Sequence, residues 1–181
     1  ILSTGMCTMR EVGLAVDVVL GTGNDQLILL HCVTNYPAAP ASVNLLAMVE
    51  MQREFGLPTG YSDHVLGNEI CLAAAALGAC VLEKHFTLDK GADGPDHALS
   101  STPDEWRGLV DGTRSVEQAL GDGIKRPAAA EKTSATTAYS SSSGQRWRIN
   151  SNTLAVASSP SGPRKRRSAR GICRAAMFST R

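Results

Sequence analysis

The sequence predicts an α/β fold in which four strand–helix units form half of a parallel (β/α)8 TIM barrel. Three observations support this prediction. Short β-type runs alternate with amphipathic stretches of helical period, glycine, proline or capping residues mark each change, and polar residues gather where each strand ends. Such alternation is typical of parallel α/β proteins. Four units of about thirty residues each are half of an eightfold barrel.

The first unit begins with the end of a strand at residues 1–3. Thr8, with Glu11 three residues later, then predicts a capping box that opens a helix running to about Leu20. The second strand is predicted at residues 26–31, which are almost continuously apolar. A run of this kind is typical of a strand buried on both faces of a parallel sheet.

The remaining strands and helices alternate in the same way. We expect a helix over residues 43–55 and a strand over 58–62, followed by an alanine-rich helix over 68–77. The fourth strand is predicted at residues 79–86, and after a long loop the last helix covers 104–120.

Charge divides the chain into an acidic body and a basic tail. Residues 1–132 hold nine Lys or Arg and all seventeen Asp or Glu, whereas the rest holds nine Lys or Arg and no acid. A serine run, an arginine-rich cluster and the lack of any period predict that residues 128–181 are a low-complexity tail, disordered or produced by a shifted reading frame. The half barrel is then expected at residues 1–127. The alternative for the PRKRR cluster is a nucleic-acid-binding patch.

The cysteines and the hydropathy indicate a cytoplasmic protein. None of the five cysteines forms a CxxC pair, so we expect reduced thiols. The longest apolar run, residues 70–82, is too short to span a bilayer, and we expect no signal peptide before the first strand.

Two histidines stand out at predicted strand ends. His64 and His85 follow the third and fourth strands and are separated by 21 positions. On adjacent parallel strands, both imidazoles could converge on one divalent cation, and two histidines with open positions suit Mn²⁺. A strand-end histidine is also a common structural hydrogen-bonding residue, so spacing alone leaves both interpretations open.

Five segments in register resemble the N-acetylneuraminate (sialic acid) synthase family and its legionaminate and pseudaminate relatives. They are ILSTGM, LLHCVTNYP, GYSDHVLG, LGACVLEKHFTLDK and GPDHALS. The resemblance covers residues 1 to about 132 and implies that the four strands are strands five to eight of a TIM barrel.

This resemblance implies a transferase reaction between phosphoenolpyruvate and the open-chain aldehyde of N-acetylmannosamine or a related amino sugar. The products are a nonulosonic acid and phosphate. The resemblance also implies that His64 and His85 bind a divalent metal, Mn²⁺ first and Mg²⁺ or Co²⁺ as alternatives. The full-length family is expected to form homodimers, with neither a membrane nor a nucleic acid as partner.

The resemblance assigns roles to five further residues. Thr34, Tyr36 and Ser62 match positions that hold phosphoenolpyruvate. Asp96 matches a carboxylate that faces the sugar hydroxyls, and Glu83 lies beside the same cavity, so both are candidate catalytic residues. Each feature also has a structural interpretation: turn capping for Ser62, loop packing for Tyr36, and an ordinary Gly-Pro-Asp turn around Asp96.

Parts of the family pattern are not recognisable in this chain. The first four strands and the C-terminal antifreeze-like domain have no match, and Lys84 is the single cation near the expected site. Phosphate and carboxylate groups need cationic partners, so we expect the chain to be inactive alone. The alternative functions are a metal-assisted hydrolase on the same fold, or a non-catalytic half barrel that binds another chain or a nucleic acid.

Overall fold

The structure, a computed structural model, describes residues 1–131 and the backbone of residues 174–179. The strands are β1 (Leu2–Ser3), β2 (Leu29–Cys32), β3 (Thr59–Asp63), β4 (Val81–Phe86) and β5 (Arg174–Ser179). The helices are α1 (Met9–Gly21), α2 (Pro40–Val43), α3 (Leu45–Phe55), α4 (Glu69–Ala76) and α5 (Pro103–Leu120), with a 3-10 turn at His97–Leu99.

The chain divides into two compact units. One contains residues 1–121 and 170–181, and the other contains residues 122–169. In the second unit, the described residues include an ion pair between Arg126 and Asp122 at 2.5 Å. All candidate site residues lie in the first unit.

The strands form one parallel sheet in the order β1-β2-β3-β4-β5. The first four strands follow chain order with helices between them, and they make the curled half-barrel sheet of an α/β fold, as the sequence predicts. The register between β3 and β4 pairs Ser62 with Glu83 and Asp63 with Lys84.

Two apolar clusters fill the space between the sheet and its helices. Val12 and Val16 of α1 pack with Leu29 of β2 and Met51 of α3. The larger cluster joins β3, β4, α3, α4 and α5 and includes Met48, Tyr61, Cys71, Leu82 and Leu109. These helices cover one face of the sheet. No helix of residues 1–131 packs on the opposite face, which we call the helix-free face of the half barrel.

The helix predictions are largely confirmed. Thr8 and Glu11 form the expected capping box, with the Glu11 carboxylate accepting a hydrogen bond of 2.7 Å from the Thr8 backbone N–H. The helix predicted at residues 43–55 is present from Leu45 to Phe55, and its start is set by Asn44, which adopts a left-handed conformation with φ of 50° between α2 and α3. A residue in that conformation cannot continue a right-handed helix. The second strand begins at Leu29 rather than at residue 26.

The tail prediction falls mostly on residues 132–173 and 180–181, which lie outside the described residues. Within the tail, however, Arg174–Ser179 form β5, where the sequence predicted no regular structure. This strand runs parallel along β4, from Val81 opposite Arg174 to Phe86 opposite Ser179. The outer edge of a strand carries unpaired N–H and C=O groups, and a short extended segment can satisfy them.

In the part of the chain that the structure describes, no helix is both long and apolar enough to cross a membrane.

Candidate active site

The register of the sheet determines which face of the sheet each strand-end side chain points to. Paired residues on neighbouring strands point to the same face, and successive residues alternate between faces. Ser62 and Glu83 are one such pair, and Asp63 and Lys84 are the next. Asp63 and Lys84 point towards the helices, where Asp63 contacts Tyr61 and Cys71. Ser62 and Glu83 therefore point to the helix-free face.

The two predicted metal-binding histidines lie together at the carboxyl ends of β3 and β4. The ring centroids of His64 and His85 are 5.4 Å apart. Their separation of 21 positions equals the separation of Ser62 and Glu83 across the same strand pair. The register that pairs these two strands therefore also brings the histidines together.

A backbone hydrogen bond fixes the tautomer of His64. Its Nδ1 lies 2.8 Å from the carbonyl oxygen of Val33. A carbonyl only accepts hydrogen bonds, so Nδ1 carries the proton and Nε2 is left with the lone pair. Burial lowers the pKa of His64, and the neighbouring His85 lowers it further, against an opposing effect of the Val33 hydrogen bond. The neutral imidazole is therefore favoured, which is the form that binds a metal ion.

Tyr36 covers both histidine rings. Its ring centroid is 4.1 Å from that of His64 and 5.5 Å from that of His85, the second in an edge-on arrangement. Its side chain is nevertheless 46% exposed. Tyr36 therefore forms one wall of the site and keeps contact with solvent.

Asp96 approaches the histidines from the loop that follows β4. Its Oδ2 lies 3.8 Å from Nδ1 of His85. The loop is fixed on both sides of the carboxylate: the Asp96 carbonyl accepts hydrogen bonds from Leu99 and Ser100, and Nδ1 of His97 contacts the hydroxyl of Thr87 at 2.8 Å. The turn predicted around Asp96 is thus present, and it brings the carboxylate to the site.

These residues surround one pocket at the carboxyl ends of β3 and β4. Its lining consists of Tyr36, Asp63, His64, Val65, Lys84, His85, Asp96 and Leu99. The structure therefore brings four of the predicted site residues together: Tyr36, His64, His85 and Asp96.

Ser62 and Glu83 form a separate pair below this pocket. The Ser62 hydroxyl donates a hydrogen bond of 2.7 Å to Oε1 of Glu83, and Ser62 is buried. Thr34 is exposed at the end of β2, beside the backbone of Gly5. Neither Thr34 nor the Ser62–Glu83 pair lines the pocket around the histidines.

Lys84 is not the available cation that its position in the sequence suggested. Its Nζ lies 2.6 Å from Oδ2 of Asp63 and 2.5 Å from the carbonyl oxygen of Val65, and its side chain is 4% exposed. Asp63 also accepts hydrogen bonds from Tyr61 and Cys71. The pairing of Asp63 with Lys84 depends on the strand register, which the sequence alone does not specify.

The residues present fit a cation held by two protein ligands. Among the described residues, no group of three or more His, Cys, Asp or Glu side chains is arranged to hold a metal ion. His64 does present a neutral imidazole beside His85, and its Nε2 has no hydrogen bond to any of residues 1–131. Two imidazoles leave most coordination positions for water or substrate oxygens, as catalytic sites require.

Comparisons with known proteins find relatives of similar sequence. The chain is 50% identical over 131 residues to the N,N'-diacetyllegionaminic acid synthase of Legionella pneumophila, covering 70% of this chain and 37% of that protein. It is 42% identical over 127 residues to the human N-acetylneuraminate-9-phosphate synthase, covering 70% and 35%. The chain thus spans well under half the length of these relatives.

A solved structure is similar in both fold and sequence. The N-acetylneuraminic acid (sialic acid) synthetase of Leptospira borgpetersenii matches with a TM-score of 0.67 and 37% identity, over 77% of this chain and 48% of that one. The family model described as the NeuB family matches residues 1–125. Because this match includes more than half of the sequence and every predicted site residue, the chain belongs to the NeuB family.

Proposed function

We propose that this chain is part of a synthase that condenses phosphoenolpyruvate with N-acetylmannosamine or a related amino-sugar aldehyde. The observation that carries the proposal is the pocket in which Tyr36, His64, His85 and Asp96 meet at the strand ends. The relatives are synthases of legionaminic acid and of N-acetylneuraminate 9-phosphate, which supports a nonulosonic acid as product. In this proposal β1–β4 are strands five to eight of the complete barrel.

His64 and His85 would hold a divalent cation, Mn²⁺ first and Mg²⁺ or Co²⁺ as alternatives. When bound, the cation supplies Lewis acidity towards an aldehyde oxygen. The protein's part is to keep His64 neutral through burial and to orient its ring through the Val33 carbonyl. Tyr36 shields the two rings from bulk water on one side.

The other candidate residues would position the two substrates. Asp96 accepts hydrogen bonds from sugar hydroxyls, while Tyr36, Ser62 and Thr34 contact phosphoenolpyruvate. Glu83 accepts the hydrogen bond of the Ser62 hydroxyl, which fixes the position of that oxygen at the base of the site. In the reaction, C3 of phosphoenolpyruvate forms a bond with the aldehyde carbon. Water then adds at C2, and phosphate leaves with cleavage of the bond between C2 and oxygen.

The isolated chain is proposed to be inactive. Among the described residues that line the pocket, Lys84 is the single Lys or Arg, and its ammonium is bound to Asp63. No free cation of this lining would then balance the charges of a phosphate and a carboxylate. A cytoplasmic location and a homodimer of the full-length protein stay predictions.

A chimera tests the function where the chain alone cannot. The matching segment of the Legionella pneumophila relative would be replaced by residues 1–131 of this chain. We expect the chimera to release phosphate from phosphoenolpyruvate only when an amino-sugar aldehyde is present. His64→Ala should abolish this release, whereas the control His31→Gln should retain it, because His31 bonds to the Val43 carbonyl on the helix side.

Two outcomes would contradict the proposal. A folded chimera that forms no nonulosonic acid would exclude these residues as a synthase site. Phosphate release that needs no sugar would indicate the hydrolase alternative. If the unmodified 181-residue chain condensed the two substrates at the chimera's rate, the proposal that it is inactive would be wrong.

A further inference from the structure

The Asp63–Lys84 ion pair lies directly behind the two histidines. Each of its residues immediately precedes one of them: Asp63 comes before His64, and Lys84 before His85. The pair joins neighbouring strands, with 2.6 Å between Lys84 Nζ and Asp63 Oδ2. Its side chains are 4% and 0% exposed. The bond therefore ties the ends of β3 and β4 together, one position before each imidazole.

The same two side chains also fix the backbone after His64. Asp63 Oδ1 accepts a hydrogen bond of 3.0 Å from the N–H of Val65, and Lys84 Nζ donates one of 2.5 Å to the Val65 carbonyl. The backbone is thus anchored on both sides of His64. Rotation of this segment, which would swing the imidazole out of the pocket, would break both bonds.

The carboxylate of Asp63 has two further hydrogen-bond donors. Asp63 accepts a hydrogen bond of 2.9 Å from the hydroxyl of Tyr61 and one of 3.2 Å from Cys71. A buried network of this kind is rigid, because each bond that breaks leaves a charged or polar group without a partner. Well-packed apolar residues often stabilise a fold as well as a buried ion pair does. Stability alone therefore does not account for its presence at this place.

We propose that the Asp63–Lys84 pair positions His64 and His85, setting the separation and orientation of the two imidazoles for the cation. The inference rests on the proposed function in treating the histidines as metal ligands. Lys84 is a positioning residue in this account and not a phosphate-binding one. Its ammonium lies on the helix side of the sheet and already has two acceptors.

The experiment uses the full 181-residue chain and three variants. Lys84→Met removes the ammonium and leaves Asp63 unpaired. Asp63→Asn combined with Lys84→Met removes both charges, so that no unpaired charge stays buried, and keeps an amide oxygen for the Val65 N–H. The control Arg107→Met removes a cation from the exposed pair with Asp104 on α5.

Two readouts separate positioning from folding. Mn²⁺ affinity is measured by electron paramagnetic resonance on the folded fraction. The protonated nitrogen of His64 is identified by ¹⁵N NMR in the metal-free chain, with His64→Gln assigning the signal. The NMR readout needs neither metal nor activity.

The double variant is expected to fold and to bind Mn²⁺ about 10- to 100-fold more weakly, the range typical when partners behind metal ligands are lost. Its His64 should lose the single form protonated at Nδ1, while Arg107→Met changes neither readout. The folded fraction of Lys84→Met should show the same changes in Mn²⁺ affinity and in the His64 signal.

The inference would be overturned if the double variant bound Mn²⁺ within twofold of the wild type and kept the His64 signal unchanged. Failure of the double variant to fold would also overturn it, because the pair would then be a requirement of the fold. If the wild type bound no Mn²⁺, the proposed metal site would be wrong. The His64 signal would then still decide whether the pair orients that ring.

Discussion

The two faces of the half barrel use the same kinds of strand-end residue in opposite ways. Towards the helices, Asp63 and Lys84 are fully buried and satisfy each other's charge. On the helix-free side, His64 and His85 are half-buried, and Nε2 of His64 has no protein partner in the described residues. Polar residues at strand ends can thus serve the fold or the chemistry, and the alternation along the strand decides which.

This comparison ranks substitutions by the size of their expected effect on stability and on ligand binding. Changes on the helix-facing side are expected to reduce stability most. Changes around the pocket are expected to act on ligand binding with little effect on folding.

The largest effect on stability is expected for Asp63→Ala. The change leaves the Lys84 ammonium buried without its partner and removes the acceptor for Tyr61 and the Val65 N–H. We expect the free energy of unfolding to fall by about 3–5 kcal/mol. Urea denaturation measures it, with the exposed Asp104→Ala as control. A loss below about 1 kcal/mol would show that the pair is not the closed network described.

His64→Ala is expected to weaken Mn²⁺ binding strongly and to change the free energy of unfolding little. Loss of one of two protein ligands should weaken Mn²⁺ binding by more than about 100-fold, since partners behind metal ligands alone account for about 10- to 100-fold. The free energy of unfolding should change by only about 1 kcal/mol, for the lost hydrogen bond to Val33. Titration followed by electron paramagnetic resonance measures the affinity, with His31→Gln as control. If the His64 variant and the wild type bound Mn²⁺ with equal affinity, the cation would bind at a site that does not include His64.

Ser62→Ala tests a residue that belongs to both groups. Ser62 points to the helix-free face, yet it is buried and bonded to Glu83. Because the substitution removes one side-chain hydrogen bond, we expect a loss of about 1 kcal/mol in the free energy of unfolding. Mn²⁺ affinity should stay unchanged, because Ser62 does not line the histidine pocket. A large drop in Mn²⁺ affinity would show that the Ser62–Glu83 pair contributes to the metal site.

The smallest expected effect is a pH dependence from His64. Its pKa in the fold lies below the ordinary value of 6.5, mainly because of burial. Just below pH 6.5 the unfolded chain therefore binds more protons at this residue than the folded chain does. The stability contributed by the neutral ring is complete above pH 6.5 and is lost as the pH falls towards the folded pKa. His64→Gln should flatten this part of the stability profile, whereas parallel profiles down to pH 5 would contradict the burial effect.

Much of this architecture follows from local sequence patterns. The strand–helix alternation and the Thr8–Glu11 capping box depend on neighbouring residues, so both were predictable. The candidate site residues Tyr36, His64, His85 and Asp96 were predicted from their positions at strand ends and from the family resemblance. The structure adds that they share one pocket.

The rest depends on contacts between distant residues. The ion pair between Asp63 and Lys84 follows from the exact register of β3 against β4, and a shift of one residue would reverse both faces. The predicted third strand ended one residue before Asp63, so the direct bond between Asp63 and Lys84 could not be derived from the predicted strand bounds. The break at Asn44 and the pairing of β5 with β4 likewise depend on tertiary context.

The most direct test of the metal site is a crystal structure of the chain soaked with Mn²⁺, read from its anomalous difference map. We expect one strong peak within coordination distance of His64 Nε2 and a ring nitrogen of His85, and no such peak in His64→Ala. A map in which Mn²⁺ binds at full occupancy away from both histidines, or in which the peak persists unchanged in the variant, would contradict the account.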